Sequence, residues 1–166
     1  MKDKLERFSG FIRSISFISM IIFGISLVVI LIVGVLLLFN VVRTVENGAI
    51  EFDGSIYIIS TIWPLWIVAM LFAVIEFFLA FYSYELFSNI KQRQIFITKN
   101  VLNARKIGWL YIFSNVIVYA GMIYSKLFSI IIPFKHIYIP PFNAMVIAVL
   151  IFVGAEIMNE RQTLPR

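Results

Sequence analysis

The chain contains no cysteine and a single histidine, His136. Without cysteine there is no disulfide framework, no thiol nucleophile and no thiolate-built metal site. One imidazole excludes any site that needs two from the same chain. Charge is scarce: Asp, Glu, Lys and Arg make up 14% of the 166 residues, against about 25% in soluble domains. No nucleophile–base pair, phosphate-binding glycine loop or paired-carboxylate site can be assembled from the pattern. The expectation is a protein that is not an enzyme and that holds no cofactor or metal. What the chain has in excess is apolar residues, 61% of positions, with a mean hydropathy of +0.98. That balance excludes a water-soluble enzyme domain, a disordered tail and a secreted disulfide scaffold.

Four apolar runs approach or exceed the roughly 18–20 residues needed to cross a bilayer. They cover about residues 15–39, 58–82, 107–127 and 141–158. The first follows a basic flank, Lys2 to Arg7, but is longer than a signal-peptide core and lacks a small-x-small cleavage site. It reads as a retained transmembrane helix. The expected fold class is all-α integral membrane, a four-transmembrane-helix bundle forming one domain over 1–166.

Orientation follows from Lys and Arg. Eleven of the 14 lie in the N-terminal tail (Lys2, Lys4, Arg7, Arg13), the central loop (Lys91, Arg93, Lys99, Arg105, Lys106) and the C-terminal tail (Arg161, Arg166). The other loops hold Arg43, Lys126 and Lys135. This asymmetry places both termini and the central loop in the cytoplasm, in a bacterial cell membrane. The net charge of +5 therefore reads as topology and docking, with no direct nucleic-acid binding. The outer loops carry turn signals, Asn47-Gly48 and Asp53-Gly54 in the first and Pro133, Pro140 and Pro141 in the second. Asn-Gly and Asp-Gly suit two-residue hairpins, so a small extracytoplasmic β-cap from both loops is expected. His136 lies in the second loop, and nothing in its spacing to Glu46, Glu51 or Asp53 supports a metal site.

Small residues mark the faces on which membrane helices pack. They recur at Ala69, Ala73, Ala80 and Ser83 in the second span and at Ser114, Gly121 and Ser125 in the third. The fourth has Ala144, Ala148 and Ala155, and the first has Gly24 and Gly34. Glu76 shares the second span's stripe. An acid at that depth costs on the order of 2–4 kcal/mol, so it faces the bundle and finds a partner. Arg105, Lys106, Asn115 and Arg13 are the expected partners. The plain reading of Glu76 is a carboxyl that fixes helix register; the functional one is a proton or cation relay, or a polar anchor. Asn115 reads as a helix–helix hydrogen-bonding residue, and Glu156 as an acid close to the cytoplasmic interface.

In the central loop, Thr98 is the expected N-cap of a helix that starts near Lys99, before the membrane. Lys91, Arg93, Lys99, Arg105 and Lys106 alternate there with apolar residues. They suit adsorption to the anionic leaflet of the lipid bilayer or a docking face for a cytoplasmic partner. The segment Ile95-Phe96-Ile97-Thr98-Lys99-Asn100-Val101, followed by Ala104-Arg105-Lys106-Ile107-Gly108-Trp109-Leu110, resembles a signature of the YoaS-like family of small bacterial membrane proteins, a domain of unknown function. The tail Gly154-Ala155-Glu156-Ile157-Met158-Asn159-Glu160 is similar to that family's ending, although Arg161 to Arg166 depart from it. The resemblance implies four spans and a membrane partner for a small helix-turn-helix regulator, docked on the central loop and the Glu160 tail. Three functions stay open: that docking role, a small transporter, permease subunit or immunity-type protein with Glu76 and Asn115 in a polar path, and a structural subunit of a larger complex. Small-residue faces serve a single bundle and a homo-oligomer equally well.

Overall fold

Apolarity reports contact with lipid, whereas a helix continues for as long as its backbone is paired. The difference is visible at once in the computed structural model. It describes residues 2–38, 49–52, 55–128 and 141–163, with side-chain environments for 7–36, 62–128, 143 and 145–162. Four helices, α1 (Lys2–Leu38), α2 (Ile59–Lys91), α3 (Thr98–Leu127) and α4 (Pro141–Thr163), enclose two short strands, β1 (Ala49–Phe52) and β2 (Ser55–Ile58). The flanks at Lys2 to Arg13, Tyr84 to Lys91 and Thr98 to Lys106 mix Lys, Arg, Glu, Leu and Ala with weaker formers such as Gly10, Asn89 and Asn100. They extend the helices well past the apolar runs.

Among the described residues three helices are long and apolar enough to cross a membrane, over Arg7–Leu36, Ile62–Lys91 and Thr98–Leu127. The expected fourth span is not among them. α4 carries Glu156, Glu160 and Arg161 in its last turns. Its uncharged part, 141–155, reaches only about 22 Å at 1.5 Å per residue, against a hydrocarbon thickness of about 30 Å.

The expected cap from both outer loops is not found. β1 and β2 pair antiparallel, with Ala49 opposite Ile58 and Phe52 opposite Ser55. They form a two-stranded sheet that takes no further strand among the described residues. The Asp53-Gly54 dipeptide lies between them, outside the described residues, as do Asn47-Gly48, His136 and the whole second loop. Pro133, Pro140 and Pro141 would in any case supply no N–H donors to a ladder.

The helices pack in chain order: α1 on α2, α2 on α3, α3 on α4, with no other helix pair in extensive contact among the described residues. Each pair is antiparallel. Phe17 meets Tyr84 while the Trp66 indole donates a 2.9 Å hydrogen bond to the Ile30 carbonyl. Across the next seam Glu85 meets Lys99 and Glu76 meets Ser114; across the last, Trp109 meets Phe152 and Thr98 meets Gln162.

The interior is small and the exterior large, the inverse of a soluble core. Buried positions include Ser9, Ser16, Gly34, Ala73, Ala80, Ala104, Gly108, Ser114, Gly121, Ser125, Ala148 and Ala155. Phe113, Val116, Ile123, Met145 and Leu150 are exposed. Small residues let backbones approach, and bulky apolar ones cost nothing against lipid tails. At Gly34 an added Cβ would run into the Trp66 indole, so this close approach requires glycine.

Candidate functional site at the α2–α3 turn

Lys91 ends α2 and Thr98 begins α3, leaving six residues to reverse the chain. The reversal begins as a Schellman-type cap. The Gln94 amide donates to the Asn89 carbonyl at 2.9 Å and the Arg93 amide to the Ile90 carbonyl at 3.0 Å. Such a cap needs one residue in the left-handed region, which glycine normally fills. Here it is Arg93, at φ 65°.

Asn100, fully buried, holds the rest of the turn. Its amide nitrogen donates to the carbonyls of Gln94 at 2.6 Å and Ile95 at 2.9 Å. Its amide oxygen accepts from Asn89 Nδ2 at 2.7 Å. One side chain therefore ties the end of α2, the turn and the start of α3 together. Thr98 is not the N-cap: that position is Ile97, which has no capping side chain. The Thr98 hydroxyl instead donates to Gln162 Oε1 on α4 at 3.4 Å. Being one residue inside the helix, it cannot turn back on the free amides as a cap must.

Most of the expected basic residues are engaged. Lys99 pairs with Glu85 at 2.9 Å, and the same carboxylate accepts from the buried Asn103 at 3.0 Å. Arg105 pairs with Glu156 at 2.9 Å, and Asn159 also donates to that carboxylate, at 3.2 Å. The Lys106 ammonium lies 4.5 Å from the centroid of the Tyr82 ring, and Arg13 lies over Tyr84. Lys91 and Arg93 are exposed on the turn and Glu160 is exposed on α4. The structure thus brings the central loop and the C-terminal helix to one end of the bundle.

Deeper in the α2–α3 seam, none of the expected partners reaches Glu76. Ser114 does, donating its hydroxyl at 2.5 Å. Asn115 donates back to the Tyr111 carbonyl of its own helix at 2.7 Å. The Tyr111 hydroxyl is buried, with the Asn115 side chain beside it. Glu85, Asn89, Asn100 and Asn103 were not legible as site residues. Their one signal is the run of asparagines at 89, 100 and 103, in segments where exposed helix formers would serve as well.

The part of the chain after β1 matches a known family. Residues 53–164 match the family model described as a protein of unknown function, DUF2975. The chain belongs to the DUF2975 family. The match begins after α1 and takes in α2, the turn, α3 and α4. The expected family of unknown function is thereby shown at that level, without the YoaS-like assignment. No curated protein and no solved structure matches the chain.

Proposed function

We propose that this DUF2975 chain is a non-enzymatic membrane protein whose turn end is a docking platform for a cytoplasmic protein, such as a small helix-turn-helix regulator. In this reading both termini and the 92–97 turn face the cytoplasm. For both termini to share that side α4 must also cross, which takes its full 23 residues, about 34 Å, with the charge of Glu156 offset at the interface by Arg105. The Lys and Arg asymmetry supports the orientation. The observation that carries the docking role is the Thr98–Gln162 contact, because it joins the turn to the end of α4. Lys91, Arg93 and Glu160, far apart in sequence, then lie at one end of the molecule. A second support is Arg93 itself: a bulky cation occupies a left-handed position where glycine would be unstrained.

The test is co-expression of the chain with a small helix-turn-helix regulator, followed by membrane fractionation. The regulator is expected in the membrane fraction and is released by Lys91→Glu with Arg93→Glu. A regulator that remains soluble whether or not the chain is present would overturn the reading. Because the chain has no cysteine, Gln92→Cys supplies a single thiol for the orientation: a membrane-impermeant maleimide should reach it only in inverted vesicles.

A further inference from the structure

The depth of Glu76 can be read from its neighbours on α2. Trp66, bonded to the Ile30 carbonyl, lies ten residues before it, and Glu85, in the polar cluster below the turn, nine residues after. At 1.5 Å per residue these distances are about 15 Å and about 14 Å, so Glu76 sits midway between the two ends of the bundle. No cation of the described residues is paired with it. Lys99 is on Glu85, Arg105 on Glu156, Lys106 over Tyr82 and Arg13 over Tyr84.

The packed elements supply nothing further. α1 has no ionisable residue from Ser14 to Leu38, and α4 has none from Phe142 to Ala155. On α3 the titratable groups between Lys106 and Tyr124 are Tyr111 and Tyr119. The carboxyl's hydrogen-bond donor is Ser114, and one turn along the same helix lies the buried Tyr111 hydroxyl.

We propose that Glu76, with Ser114 and Tyr111, forms an intramembrane proton-binding site in the α2–α3 seam. An unneutralised carboxylate at this depth is costly, and a bound proton removes the charge. A hydroxyl suits both states of the site. It donates to a carboxylate and accepts from a carboxylic acid, so the Glu76–Ser114 bond survives gain or loss of the proton. A metal cation fits less well. Hard cations take about six or more oxygen ligands. The seam offers two carboxyl oxygens and two hydroxyls.

The site is tested by infrared difference spectroscopy on the full chain in liposomes, titrated with pH. A carboxylic-acid carbonyl band is expected that converts to carboxylate as pH rises and is missing in Glu76→Gln. Ser114→Ala, which keeps the acid and removes its hydrogen bond, should shift that band in frequency. Should Glu76→Gln fail to fold, the Ser114→Ala shift identifies the band by itself. A seam that shows only carboxylate at every pH, or a band indifferent to Ser114→Ala, would overturn the proposal. If conversion follows added sodium or potassium at fixed pH, the ligand is a metal cation and the proton assignment fails.

Discussion

Asn89 on α2 and Asn100 on α3 are joined by a 2.7 Å hydrogen bond across a six-residue reversal. The same Asn100 amide also satisfies the carbonyls of Gln94 and Ile95. Without Asn100 both of these carbonyls and the Asn89 amide would lose their partner at the turn.

Asn100→Ala should therefore be among the most damaging single changes at this end of the molecule. Leaving buried polar groups unsatisfied costs about 1–3 kcal/mol apiece. A marked drop in detergent Tm is expected, followed by intrinsic fluorescence of the three tryptophans. A Tm within a degree of the parent would mean that water replaces the side chain.

Glu85 offers a graded comparison. Glu85→Ala strands the buried Asn103, at a cost of about 1–3 kcal/mol. Glu85→Gln keeps an acceptor for Asn103 and loses only the exposed Lys99 pair, worth about 0–1 kcal/mol. Chemical denaturation of both should rank alanine well below glutamine; equal losses would show that the ion pair dominates.

Arg93→Gly should separate stability from docking. Glycine relieves the left-handed strain, a gain of about 1 kcal/mol, while removing an exposed cation. A higher Tm combined with weaker regulator retention is the expected pair of results. A lower Tm would mean that the arginine side chain contributes contacts worth more than the strain.

Gly34→Leu should loosen α1 from α2. The Trp66 indole above Gly34 is tethered to the Ile30 carbonyl and cannot swing aside without losing that bond. Overpacking of this kind costs about 1–3 kcal/mol. A lower Tm with a shifted tryptophan emission is expected, and an unchanged emission would place the indole elsewhere.

The parts of the molecule that were legible in the sequence are those set by apolarity and side-chain size. Long apolar runs located all four helices, three of which are long and apolar enough to cross a membrane, and small residues such as Ala73, Ala80, Ser114 and Ala148 marked the faces that pack. Helix ends were less legible at the N-terminus, where Lys2 to Arg13 are helical without being apolar, than at α3, whose start was expected near Lys99 and lies at Thr98. The partner of Glu76 was missed for a related reason. Charge suggested Arg105 or Lys106, but antiparallel register places those residues toward the turn and brings a serine level with the acid. Asn100 was invisible as an organiser because its role depends on a turn conformation that no periodicity encodes.

Packing in strict chain order also bears on how the molecule is made. Each helix finds its main neighbour in the segment just synthesised, so no seam has to wait for a distant part of the chain. Once Lys91 has emerged, the entire α1–α2 contact can exist, and α3 and α4 each add one seam to a surface already in place. Contacts this local favour fast, sequential assembly. A nascent chain halted after α2 should already protect Trp66 from a lipid-borne quencher as fully as the finished protein does.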